Sequence, residues 1–121
     1  MTNHIERLFG KQGLHGYSVH PGSFYSPNLQ KHSEADMAVA MQNPRMEKYL
    51  TNLEQACATS VYGAISSELE GRGGLYLEGA SVSSAVPAEG DAIEYGYAPW
   101  AHDQEKEEKL WELSKAMVGL E

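Results

Sequence analysis

Between Pro44 and Gly71 the apolar residues Met46, Leu50, Leu53, Cys57, Val61 and Ile65 recur every three or four positions. A helix turns once in about 3.6 residues, so this spacing sets them on one stripe, which the chain has to bury against something. Thr51-Asn52-Leu53-Glu54 interrupts the run with the pattern of a capping box, Thr51 bonding the amide of Glu54 and Glu54 answering, so the stretch reads as two helices with a break near 51. On either side lie short runs of strand character. Leu14 to His20 carries Tyr17 and Val19 and closes on Pro21-Gly22, and the triplet Leu75-Tyr76-Leu77 follows Gly71, Gly73 and Gly74.

The rest of the chain is organised around these elements. Met1 to Gly10 places Ile5, Leu8 and Phe9 at helical spacing and ends at Gly10 and Gly13. A loop follows over 22–33, and Ser33-Glu34-Ala35-Asp36 starts a short helix that runs to Met41 and stops before Pro44. Residues 79–99 have no apolar period and read as a long surface loop, a kind of segment that in compact domains tends to bind something or to be disordered. A last amphipathic helix opens at Ala101-His102-Asp103, runs through Leu110, Leu113 and Met117, and ends at Gly119.

Composition narrows the function. The 121 residues allow one domain at most. Only 22 of them are Leu, Ile, Val or Phe, and with 17 acidic against 9 basic residues this falls where chains often fail to fold alone. The net charge of −8 repels a phosphate backbone, which disfavours DNA, RNA and anionic membranes as partners. No apolar run approaches the length of a membrane span, and Met1 to Lys11 lacks the features of a secretion signal, so the expected location is the cytoplasm. The single cysteine, Cys57, excludes an internal disulfide and a Cys-rich zinc site.

Few residues invite chemistry. His4, His15, His20, His32 and His102 form no pair at i, i+3 or i, i+4, so no metal site is expected. Cys57 lies on the apolar stripe and reads as a small hydrophobe, not a nucleophile. The charges of Asp103 to Glu112 read as a solvated helix face, and Trp100 and Trp111 as core or cover. One segment suggests a ligand: the strand ending at His20 and the turn Pro21-Gly22-Ser23-Phe24-Tyr25-Ser26. Ligands of open α/β sheets bind at the carboxyl ends of strands, where a Pro-Gly turn exposes backbone amides.

Several segments share an order with a known family: Gly13-Leu14-His15, Val19-His20-Pro21-Gly22, Glu54-Gln55-Ala56-Cys57-Ala58-Thr59, Leu69-Glu70-Gly71 with Gly73-Gly74-Leu75-Tyr76-Leu77, Tyr97-Ala98-Pro99 with Ala101, and Leu110-Trp111-Glu112-Leu113-Ser114. Over residues 3 to 119 the chain resembles the C-terminal part of short-chain dehydrogenases/reductases. The resemblance is greatest to the branch of retinol dehydrogenases and WW-domain oxidoreductases, and to its fungal members in particular.

The resemblance implies an α/β chain with a partial Rossmann-type fold, two short parallel strands and three to four helices. The stretch 74–77 would be the strand parallel to the first, with the helix Leu53 to Ser66 as the crossover that parallel pairing requires. The implied activity of the parent enzyme is NAD(P)-dependent oxidoreduction of an alcohol or ketone. In the family the loop after the sixth strand touches the nicotinamide carboxamide, and the corresponding residues here are Pro21, Gly22, Ser23, Phe24 and Ser26. Ser26 stands where Thr is usual, and Phe24 where Ile or Val is usual. Residues 27–49 would be the substrate lid. These 121 residues contain neither the Gly-rich dinucleotide loop nor the Tyr-x-x-x-Lys pair, so a truncated enzyme, with no catalytic residue of its own and no tight NAD(P) binding, is the expectation. The alternative is a small interaction module, a homo-oligomer or one part of a complementary pair of chains, because a two-stranded sheet with an open edge invites pairing.

Overall fold

The computed structural model describes residues 1–24, 38, 42, 50–87 and 95–120. Apart from residue 38, the helix expected over 33–41 lies outside the described residues, as do most of the lid segment 27–49 and site residue Ser26. Among the described residues, the bounded α-helices and strands follow in the order α1 (Thr2–Phe9), β1 (Tyr17–His20), α2 (Leu53–Ile65), β2 (Leu75–Glu78), β3 (Ser81–Val82) and α3 (Gln104–Met117). The class is α/β, as the sequence suggests.

The first two strands pair in parallel, Tyr17 opposite Leu75 and His20 opposite Glu78, with α2 in the connection between them. Both strands run in the same direction because a helical crossover returns the chain to the same end of the sheet. The expected two-stranded sheet is corrected to three strands: β3 joins β2 antiparallel, Leu77 opposite Val82 and Glu78 opposite Ser81. The hairpin turn is Gly79-Ala80, with φ of +58° and +55°, positive at both central positions as a tight two-residue turn of matching twist requires. The loop reading of 79–99 missed it because two residues of strand carry no period and Ala is unusual at such a position. Farther along the same stretch, Ala85 and Tyr97 form an isolated parallel bridge.

The start of α2 lies one residue beyond the box expected at Thr51 and Glu54. The N-cap is Asn52: its side-chain oxygen accepts from the Gln55 amide at 2.8 Å, and the Gln55 side chain accepts from the Asn52 amide at 2.9 Å. Thr51 is drawn the other way, its amide donating to the Ser23 carbonyl at 2.7 Å and its hydroxyl to the same oxygen at 3.2 Å. Asn52→Ala removes one half of the box and should cost about 1 kcal/mol. Denaturant unfolding followed by helical circular dichroism checks this, and an unchanged midpoint would place the helix start elsewhere.

The buried side of α2 is a second correction. Its apolar stripe was expected to face the core, yet Leu53, Val61 and Ile65 are 65%, 53% and 78% exposed, and Cys57 is exposed too. Ala56 and Thr59 are buried instead. Small residues win this face because the helix lies close to the sheet: a β-carbon on Gly63 would sit 3.1 Å from Leu77 Cδ1. Among the described residues the apolar core consists of Ala56, Leu69 and Leu77, with Leu77 completely enclosed.

The third helix is capped by the Asp103 side chain, which accepts from the Lys106 amide at 3.1 Å and pairs with the Lys106 ammonium at 2.7 Å. These contacts hold the Asp103 carboxyl below its usual range. A short 3₁₀ turn, Pro99–His102, leads into it. One residue of the stretch read as a solvated acidic face departs from that reading: Glu107 is buried against α1. There it meets the Asn3 amide at 2.7 Å and the Arg7 guanidinium at 2.5 Å, while Trp111 packs on the rings of His4 and Phe9. Trp111 thus covers the helix pair, whereas Trp100 is 76% exposed and belongs to neither core nor cover.

Candidate functional site

The carboxyl ends of β1 and β2 open on one cavity of about 310 Å³, near the lower end of the size range of small-ligand sites. Three segments distant in sequence build it. Pro21 and Gly22 come from the turn after β1, Thr51 from just before α2 with Gln55, Ala58 and Thr59 from its first turns, and Gly79, Ala80 and Tyr95 from beyond β2.

Gly22 makes the turn possible. Its φ of +86° is a conformation that side chains strain against, and a β-carbon there would lie 3.1 Å from Thr51 Oγ1. The Ser23 carbonyl anchors the turn by accepting both Thr51 bonds, and Ser23 forms an isolated parallel bridge with Leu50. The opposite wall is fixed from α2, where the buried hydroxyl of Thr59 accepts from the Ala80 amide at 3.0 Å. That bond satisfies the amide of a residue held at positive φ.

Below the turn, at the strand ends, a carboxylate is buried. Glu78 Oε2 accepts from the Gly96 amide at 2.7 Å, and Oε1 lies 3.3 Å from Nδ1 of His20 on the neighbouring strand. Beside it the rings of His20, Tyr76, Tyr97 and His102 succeed one another with centroids 6.5, 6.0 and 4.5 Å apart. Burial, and then the charge of Glu78, pushes the Tyr76 phenol above its usual value, so Tyr76 stays protonated through neutral pH.

Of the five residues proposed from sequence, Pro21 and Gly22 line this cavity. Ser23 faces Thr51 through its backbone, Phe24 follows half-buried, and Ser26 is outside the described residues. Sequence reasoning missed Thr51, Gln55, Thr59 and the Gly79-Ala80 wall. The available signal was position: Gly79 directly follows a strand parallel to β1, so its turn must share the ligand end of the sheet. Among the described residues, no group of three His, Cys, Asp or Glu is placed to hold a metal ion.

The chain is 40% identical over 121 residues to a protein of Penicillium roqueforti named short-chain dehydrogenase/reductase prx1, an alignment covering 99% of this chain and 35% of that protein. It is 32% identical over 126 residues to oxidoreductase calI of Penicillium decumbens, with 100% of this chain and 36% of the relative covered. These matches support a fragment similar to part of a short-chain dehydrogenase/reductase. The human WW domain-containing oxidoreductase is a more distant relative, 25% identical over 117 residues, 97% of this chain and 25% of its own length. The chain spans about a third of the length of the fungal relatives it matches. No family model and no solved structure matches it.

The cavity can be set against the cofactor that this family implies. A planar carboxamide fits between a glycine turn free of side-chain bulk and the hydroxyl and amide groups of Thr51, Thr59 and Gln55. Among the described residues, no Lys or Arg lines the cavity, so no side-chain cation there meets a pyrophosphate. The polar, uncharged lining suits the nicotinamide end of a dinucleotide. Among the described residues, no helix is long and apolar enough to cross a membrane.

Proposed function

We propose that this chain is the C-terminal segment of a Rossmann-type short-chain dehydrogenase/reductase domain, and that it supplies the nicotinamide-end wall of an NAD(P)-dependent enzyme acting on an alcohol or ketone. The observation that carries the reading is the Pro21-Gly22 turn at the carboxyl end of a parallel strand, opening on a polar-edged cavity. The names of the fungal relatives support the same chemistry. The bound cofactor would deliver or take up the hydride. Pro21, Gly22, Ser23, Phe24 and Ser26 would position its carboxamide through the backbone and the Ser26 hydroxyl. The 121 residues hold no Gly-rich phosphate loop and no Tyr-x-x-x-Lys pair, so the chain by itself is expected to reduce no substrate. We place the assembled protein in the cytoplasm, in keeping with its acidic composition.

Two titrations test this. The chain alone, mixed with NAD(H) or NADP(H), should show no saturable binding below millimolar concentration. A chimaera of the Penicillium roqueforti relative carrying this chain in place of its matching segment should bind the reduced cofactor, and Gly22→Val in that chimaera should abolish binding. Tight binding by the chain alone, or a folded chimaera indifferent to Gly22→Val, would overturn the reading.

A second reading, an oligomerising or complementary module without catalysis, is favoured by the uncovered stripe of Leu53, Val61 and Ile65. Sedimentation of the purified chain separates the two. A mass that rises with concentration supports association, and a constant monomer mass removes the homo-oligomer.

A further inference from the structure

One nitrogen in this structure faces two partners that it cannot serve in the same protonation state. His20 Nδ1 lies 3.1 Å from the Gly22 amide nitrogen, which donates to it, and 3.3 Å from the buried Oε1 of Glu78. To accept from Gly22, Nδ1 must carry a lone pair; to pair with the carboxylate it must carry a proton. The two contacts are alternatives.

We propose that His20 is a protonation-dependent latch on the Pro21-Gly22 turn. With a neutral ring that carries its proton on Nε2, Nδ1 accepts the Gly22 N–H and closes the turn. With a protonated ring, Nδ1–H turns to Glu78 and the Gly22 amide is released. Imidazole is the side chain suited to this, since it ordinarily changes charge between about pH 5 and 8. The carboxylate is fixed in place to receive the proton, because its other oxygen is held by the Gly96 amide and the residue is buried.

Among the described residues, the titratable neighbours of the ring come from β2 and from the segment before α3. From β2 the ring is faced by Tyr76 and Glu78, with Tyr97 and His102 behind Tyr76. The titratable residues of α2, Glu54, Cys57 and Tyr62, line a different depression beside Ile65 and Glu68. The consequence for function rests on the reading of the turn as the carboxamide wall: the closed turn presents a fixed edge, so nicotinamide-end contact is favoured at higher pH.

The test is an amide and imidazole NMR titration of the ¹⁵N-labelled chain between pH 5.5 and 8.5. The Gly22 amide signal should move with the same midpoint as the His20 ring. Its exchange protection, corrected for intrinsic rate, should fall roughly three- to tenfold on the acid side, the scale of one hydrogen bond. Glu78→Gln, which keeps an oxygen for Gly96 but removes the charge, should shrink the change at Gly22. A Gly22 amide that ignores the His20 titration, or one that follows it unaltered in Glu78→Gln, would overturn the latch. Reduced nicotinamide mononucleotide added to the chimaera tests the other reading separately: a latch that switches where that probe does not bind leaves the switch standing and removes the carboxamide role.

Discussion

Replacing Leu77 with alanine should lower the stability of the chain by about 2–5 kcal/mol, the range measured for a fully buried leucine whose cavity only partly collapses. Leu77 is wholly enclosed at the centre of the middle strand, β2, and its Cδ1 lies where a β-carbon on Gly63 would crowd it. The described core holds only two other apolar side chains, Ala56 and Leu69. Neither can move in to fill the space. A small domain rarely has more than a few kcal/mol to lose, so the variant should populate unfolded chain in plain buffer. Native-state hydrogen exchange read on α2 and β2 measures the change. A loss below about 1 kcal/mol would mean that the sheet is held from elsewhere, since deleting a buried leucine side chain ordinarily costs more than that.

The Arg7→Met variant should be nearly as costly and should also reverse the response to acid. Burial alone would push the Glu107 carboxyl up, but the Asn3 amide, the Arg7 guanidinium and the charge of the Met1 ammonium together outweigh it and hold the group below its usual value. A carboxylate with a depressed folded-state pKa adds stability above its unfolded pKa, and this is lost as pH falls through the folded value. The native chain should therefore weaken as pH falls below about 4.5, the ordinary value for the group. With Arg7 gone, a buried carboxylate is left with one amide partner, costing about 3 kcal/mol at neutral pH. That is the low end for a broken buried pair, because Arg7 keeps 35% of its side chain in water. Burial then prevails and the pKa rises, so this variant should recover stability as pH falls from 7 toward 5. Thermal melts at a series of pH values decide it. Parallel pH profiles for the two proteins would mean that Arg7 and Glu107 do not act as a pair.

These two residues also show where local pattern stops being informative. Glu107 sits in a run of alternating charge that looks the same whether it faces water or a neighbouring helix, and its partners Asn3 and Arg7 are about a hundred positions away. The turn of the candidate site was visible as Pro21-Gly22 after a strand. Its opposite wall was not, because Thr59 and Ala80 come together only through the packing of α2 on the hairpin.

The sequence by itself determined the order of the elements and most of their ends. Helical spacing marks α1, α2 and α3, glycine and Pro-Gly punctuation closes the strands, and a fungal relative is 40% identical over 99% of the chain. Each of these is carried by residues within a few positions of one another. Tertiary structure alone decided which side of α2 is buried, that a two-residue strand completes the sheet, and that His20 lies between Gly22 and Glu78. The apolar stripe reports where hydrophobic residues fall along the helix, but the distance to the sheet selects the side that can approach. Ala56, Thr59 and Gly63 are small enough to do so, and Leu53, Val61 and Ile65 are left facing outward.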